Sequence, residues 1–329
     1  MQLLRPRGTA APTGTEPSGV HGRPSLHRVP IAAAALVAAG TAVFATAAVA
    51  GPAGTAPMAA QSHSYVALGD SFTSGPAVPA QLGPDTSPSA PSACLRSSDN
   101  YPSLAARALG LDLSDVSCGG ATTEDLTRSQ GPGIPAQLSA LGPSTSLVSV
   151  GIGGNDLGFS TIAASCAAAT PWGATQVGWS CRAHYTVGGV DQLATTVRGV
   201  GTKVATALEE IRARAPHARV FVIGYPDIVP PSGSGCWPVL PFSGHDLDYL
   251  RGIEGDLNAT LARDAVAADD VYVDMATPSA SHNACTSDDT RWVEPIVPSP
   301  GSYPLHPSTA GMSGMARVLE GAVTSTAWR

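Results

Sequence analysis

The chain reads as a single α/β domain built on a parallel sheet with helices on both faces. Two observations predict this. Short apolar runs of strand length recur along the sequence, at Tyr65–Leu68, Ser146–Ile152, Arg219–Gly224 and Val271–Met275, with a weaker one near Leu111–Ser117. Between them lie segments whose apolar residues step by three or four, the period of one helix face. Strands that alternate with helices, and that are apolar without a polar alternation, belong to a sheet covered on both sides.

The first strand, Tyr65–Leu68, ends at a Gly69-Asp70-Ser71 turn. The clearest helix follows Val190, Leu193, Val197, Val200, Val204, Leu208 and Ile211, and a second carries Tyr249, Ile253, Leu257 and Leu261 at steps of four. A last helix is predicted from Ser308 or Thr309 to about Thr324. No internal repeat is evident. The longest insertions, near residues 76–100, 166–189 and 226–245, are rich in Pro, Ser, Gly and Trp, and loops of that length in a compact domain are often functional. Trp172, Trp179, Trp237, Phe242 and Trp292 fall in the loops expected to form a rim, where they either make an apolar acyl site or simply pack beneath the loops.

At the N-terminus, Arg5, Arg7, Arg23 and Arg28 precede an Ala- and Val-rich run, Ile31–Ala50, that ends in Ala48-Val49-Ala50. Basic residues, an apolar stretch and small residues at a cut site make a secretory signal peptide over 1–50. A run of about 20 apolar residues also meets the minimum for a membrane span, but alanine is weakly hydrophobic and the cleavage pattern favours removal, so no stable membrane insertion is expected afterwards. A flexible stretch at 51–62 then leads into the catalytic domain, 63–329.

The formal net charge of the chain is −7, and residues 1–50 contribute four arginines and Glu16, so the remainder stands near −10. This argues against a nucleic-acid partner or an anionic membrane held by charge. Six cysteines, all beyond the leader, are an even count in an exported chain, the setting in which disulfides persist. Their spacing suggests nearest-neighbour pairs, Cys94–Cys118, Cys166–Cys181 and Cys236–Cys285. With no C-x-x-C pair and no Cys/His cluster, zinc is the weaker reading.

In an open α/β sheet, ligands bind beyond the carboxyl ends of the strands. Ser71, the Gly119-Gly120 pair, Gly154-Asn155-Asp156 and His306 all follow predicted strands or lie in the terminal loop. A serine hydroxyl needs a base to become a nucleophile, and the oxyanion that forms needs preorganised N–H donors. Ser71 with His306 can supply the first requirement. The backbone N–H groups of Ser71 and Gly120, with the Asn155 side chain, can supply the second. No G-x-S-x-G elbow, H-E-x-x-H, Walker loop or complete G-x-G-x-x-G is present, so no metal or nucleotide cofactor is called for.

In order, Gly69-Asp70-Ser71-Phe72-Thr73-Ser74-Gly75, Gly120-Ala121-Thr122-Thr123, Gly153-Gly154-Asn155-Asp156 and His306-Pro307 resemble the four blocks of the SGNH hydrolases, also called GDSL lipases and esterases. The resemblance runs from about Tyr65 to the C-terminus and is strongest to the secreted, three-disulfide actinobacterial branch. It implies a flavodoxin-like three-layer α/β/α sandwich with five parallel strands. It also implies Ser71 as nucleophile, Gly120 and Asn155 as oxyanion donors and His306 as base, acting without a cofactor on lipid or other acyl esters, in a protein expected to be a monomer. Lipase or esterase activity is the leading expectation, with phospholipase and polysaccharide O-deacetylase as alternatives and a silent lipid- or glycan-binding module as the non-enzymatic one.

One position departs from the pattern. The family places an Asp three residues before the histidine, and here that residue is Tyr303. Some members of the resembled branch use a backbone carbonyl from that position, so the resemblance implies a Ser-His dyad in which the Tyr303 carbonyl accepts the His306 Nδ1–H, with Asp288 or Asp289 as the alternative carboxylate. Asp70 and Asp156 read as hydrogen-bonding supports. His184, His217, His245 and His282 read as surface residues, and Lys203, the only lysine, as part of a helix.

Overall fold

Five segments that lack alternating polarity pair into one sheet. The computed structural model describes residues 63–83, 92–168, 180–233, 235–296 and 302–326, all within one unit, Ala59–Arg329. The leader, the 51–62 stretch, Trp172 and Trp179 lie outside the described residues.

The chain opens with β1 (Ser64–Gly69), the single-turn α1 (Ser71–Ser74), α2 (Tyr101–Leu109) and β2 (Asp112–Asp115). Then come α3 (Thr123–Thr127), β3 (Leu147–Gly151), α4 (Gly154–Leu157), α5 (Phe159–Ala168) and α6 (Cys181–His184). A short antiparallel hairpin, β4 (Thr186–Val187) with β5 (Val190–Asp191), precedes α7 (Gln192–Arg214) and β6 (Arg219–Ile223). The chain continues through α8 (Gly244–Ala267), β7 (Val271–Val273) and α9 (Ala276–Ser279) to α10 (Thr309–Ser325).

The sheet order is β2-β1-β3-β6-β7, with every pair parallel. Helices cover both faces, with α7 packed on α8 and α2 on α10. The central strand β3, Leu-Val-Ser-Val-Gly, is buried at every position, as a strand covered on both sides must be. The edge strand β2 alternates exposed and half-buried residues, which is why its sequence signal is the faintest of the five. All five strands and the three long helices fall where the apolar pattern places them, except that Val190, read as the start of the first long helix, lies in β5. The hairpin β4–β5 does not announce itself, because two-residue strands carry no period.

The order matters because β1 and β3, adjacent in the sheet, send their connections to β2 and β6 in opposite directions. This leaves a crevice at their carboxyl ends, the place where flavodoxin-like sheets bind ligands. Close packing secures it: a Cβ on Gly69 would stand 2.2 Å from Thr73 Oγ1 and 2.7 Å from the Gly151 carbonyl. Only glycine lets the two strand ends approach this closely.

The cysteines are bonded as Cys94–Cys118, Cys166–Cys181 and Cys236–Cys285. The first ties the 92–94 turn to the end of β2, and the third ties the 236–240 loop to the segment before His306. No described helix is long and apolar enough to cross a membrane.

Candidate active site

Ser71 is the first residue of α1, directly after β1, and its N-cap is Asp70. One Asp70 oxygen accepts from the Phe72 N–H at 2.9 Å, the usual capping bond, and the other accepts from the Tyr225 hydroxyl at 2.6 Å. Tyr225 OH in turn accepts from the Gly154 N–H at 2.8 Å. A single buried chain, Gly154 to Tyr225 to Asp70 to Phe72, thus joins the turns after β1, β3 and β6. Asp70 is 1% exposed, and burial raises its pKa to about 7 against the opposing effect of these hydrogen bonds. It acts as the support that the sequence suggested.

Ser71 is 8% exposed, and its hydroxyl lies 2.8 Å from His306 Nε2. Burial lowers the His306 pKa from its ordinary value, partly offset by the backbone carbonyl of Pro304. Near neutral pH the ring is therefore an imidazole able to take a proton.

The carbonyl on Nδ1 differs from expectation. Nδ1 lies 2.8 Å from the carbonyl of Pro304, whereas the Tyr303 carbonyl accepts the backbone N–H of His306 at 3.1 Å. The reason is the turn Tyr303–His306. Proline in second position and a left-handed third residue, Leu305 with φ 60°, form the pattern of a type II turn. The first carbonyl closes such a turn, and the second is left to face the ring. Tyr303 is 45% exposed, with its ring edge-on to His306 at 6.2 Å.

Neither alternative carboxylate fills the role. Asp288 is exposed and paired with Arg291 at 2.8 Å, and Asp289 sits on the same exposed turn. Instead the His306 loop is held by main chain, with Leu305 N–H to Glu294 O, Glu294 N–H to His306 O and Ser308 N–H to Trp292 O. Behind it Arg291 pairs with Glu294 at 3.0 Å, both side chains being buried.

Asn155 is in the first turn after β3, and its amide donates to the Ala121 carbonyl at 2.9 Å, which leaves one N–H for a ligand. Asp156 accepts from the Thr123 N–H and hydroxyl and from Lys203 Nζ. These contacts dock the 118–123 turn against the turn after β3. Gly120, in the left-handed region at φ 76°, is in that turn next to Ala121, but it is not among the described residues lining the cleft beside Ser71.

That cleft has Phe72, Leu157, Phe159, Ile228 and Leu257 in its walls, together with Ser71, Asn155 and His306. Of the expected rim aromatics, Phe242 and Trp292 are buried in the core and Trp237 is 51% exposed. Trp292 packs under the histidine loop, against Gly311 and Gly314 of α10 and stacked on the half-buried His282. His184, His217 and His245 are exposed. Among the described residues no acidic, His or Cys cluster is arranged to hold a metal ion.

Sequence reasoning missed Tyr225, Pro304 and Glu254, another residue of the cleft wall. Tyr225 had a usable signal, since it follows β6 at the carboxyl edge of the sheet. Glu254 was hidden one residue after Ile253 in an apolar helix stripe.

The GDSL-like Lipase/Acylhydrolase family model matches residues 67–313. The chain is 38% identical over 258 residues to Lipase 2 of Streptomyces coelicolor, covering 77% of this chain and 83% of that protein. Among solved structures, phospholipase A1 from Streptomyces albidoflavus matches with TM-score 0.64 and 28% identity, covering 79% of this chain and 99% of that one. The extracellular lipase of Streptomyces rimosus matches with TM-score 0.61 and 29% identity, covering 79% and 100%.

Proposed function

Because the chain belongs to the GDSL-like lipase/acylhydrolase family and is a serine ester hydrolase of the lipase and esterase class, we propose that Ser71 and His306 are its catalytic dyad and that the apolar cleft takes the acyl chain. The observation that carries this reading is the 2.8 Å approach of His306 Nε2 to Ser71 Oγ at the β1/β3 crevice.

Ser71 Oγ attacks the ester carbonyl carbon while its proton passes to His306 Nε2. The carbonyl oxygen becomes an oxyanion, held by the N–H groups of Ser71 and Gly120 and the Asn155 amide. Collapse of the tetrahedral species breaks the C–O bond, and His306 returns its proton to the departing alcohol. A water that gives its proton to His306 then attacks the acyl-enzyme, and the carboxylic acid leaves as Ser71 is regenerated. The Pro304 carbonyl keeps the Nδ1–H in place, so Nε2 is the nitrogen that accepts. No step needs a cofactor.

Five apolar side chains in the cleft support acyl groups longer than acetate, since each methylene taken out of water contributes about 0.8 kcal/mol, roughly a fourfold gain in binding. This favours lipid esters over the acetyl groups of polysaccharides. Phospholipid is the second reading, supported by the match to the Streptomyces albidoflavus phospholipase A1. The leader at 1–50 and the three disulfides support an exported protein, and N-terminal sequencing of culture-medium protein should begin at Gly51.

A fluorophosphonate probe tests the dyad: wild type should label at Ser71 and S71A should not. Labelling elsewhere, or none in the wild type, overturns the assignment and favours a silent binding module. Triacylglycerol, phosphatidylcholine and p-nitrophenyl esters assayed side by side separate the two substrate readings.

A further inference from the structure

The wall of the acyl cleft includes an acidic residue that the reaction does not use. Glu254 lies on α8, one turn before Asn258, and shares the cleft with Phe72, Leu157, Phe159, Ile228 and Leu257. Asn258 clamps the backbone of Tyr225 at both its N–H and its carbonyl, at 2.8 and 2.9 Å. One turn earlier on the same helix, Glu254 holds the chain on one side only, its Oε1 accepting the Ile228 N–H at 2.9 Å. The carboxyl is thereby fixed in a largely apolar wall of the cleft.

We propose that Glu254 is a specificity-determining residue of this site: when protonated it forms part of the apolar wall, and when ionised it selects against apolar acyl chains. The proposal rests on the reading of the cleft as the acyl site. Its physical basis is the cost of burying a carboxylate against hydrocarbon, which a protonated, hydrogen-bonded acid does not incur. A long chain laid along the cleft removes the remaining water from Glu254, whereas an acetyl group, confined to the carbon beside Ser71, does not.

The surroundings favour the neutral form over the ordinary range. Burial raises the Glu254 pKa to about 8, helped by Asp227 and opposed by the Ile228 and Val229 N–H groups and by Arg251. Arg251 is largely engaged elsewhere, with the carbonyl of Pro230 at 2.6 Å and with Asp248. Asp227 is itself raised by burial and by Asp274. Asp70 and His306 share the cleft, so a raw pH–rate curve would mix their titrations with that of Glu254.

The experiment removes that mixing by taking the ratio of kcat/KM for p-nitrophenyl decanoate to that for p-nitrophenyl acetate at each pH from 6 to 10. Changes at Asp70 and His306 act on both esters and cancel. If only the protonated form accepts the long chain, the wild-type ratio should fall about tenfold between pH 7 and pH 9. E254Q, whose amide oxygen can still accept the Ile228 N–H, should hold a constant ratio. A wild-type ratio independent of pH overturns the proposal without any variant, and so does an E254Q ratio that still falls. A separate control addresses the underlying reading: L157W should shorten the preferred chain at pH 7. If it does not, the cleft is not the acyl site, whatever Glu254 does.

Discussion

The two halves of the proposed dyad are held in different ways. Ser71 stands on the turn after β1, where a buried side-chain network of Asp70, Tyr225 and Asn258 locks three strand ends together. His306 stands on a loop held by main-chain hydrogen bonds to residues 292–294, and its ring is oriented by the Pro304 carbonyl, with no carboxylate on Nδ1. Ser71 is thus positioned by specific side chains, and His306 by backbone shape. Substitutions around Ser71 should therefore cost more than substitutions around His306, the histidine itself excepted.

The largest effects test the dyad rather than its supports. S71A and H306A should each lower kcat by about 10⁴-fold or more, measured on p-nitrophenyl butyrate. A weak loss in H306A would show that the 2.8 Å contact is not the proton path. N155A comes next, since removing one oxyanion donor costs about 10²–10³-fold in kcat with little change in KM. An effect confined to KM would reduce Asn155 to a brace for the Ala121 turn.

Y225F probes the network on the nucleophile side. It removes both the donor to Asp70 and the acceptor of the Gly154 N–H, which should cost about 1–3 kcal/mol in stability. It should also lower kcat more than it raises KM. Thermal unfolding and kinetics together check this, and an unchanged kcat would mean that the turn after β1 holds itself.

On the base side, Y303A keeps the backbone carbonyl and the turn, so kcat should change by no more than about threefold. A loss near that of H306A would give the tyrosine ring a role that its edge-on contact at 6.2 Å does not suggest. The pH dependence sharpens the same side. The proposed reaction requires neutral His306, whose pKa burial lowers, so the acid limb of kcat/KM for the acetyl ester should have its midpoint below 6.5. A midpoint above 6.5 would point to a carboxylate partner, because a negative charge on Nδ1 stabilises the imidazolium.

Stability offers a further check on Asp70. Its folded pKa, about 7, is above the ordinary carboxylate value, so the native state binds the proton more tightly than the unfolded chain does. That contribution is full below about pH 4 and is lost as pH rises towards 7. In D70N this part of the decline should be absent from urea unfolding followed across that range.

The sequence was sufficient for the sheet, because covered strands and long helices write their burial as apolar runs and periods. It also singled out Ser71, Asn155 and His306 as candidates, because a nucleophile, a donor and a base must be particular residue types at the carboxyl ends of strands, and the fold brings all three to one cleft. Tertiary structure decided what backbone direction and distant packing control. A carbonyl has no side-chain signature, so Pro304 rather than Tyr303 faces Nδ1 only because of how one turn closes. Tyr225, Glu254 and Asn258 take their roles from partners 26 to 155 residues away in the chain. No local pattern can report contacts that exist only once the strand ends meet.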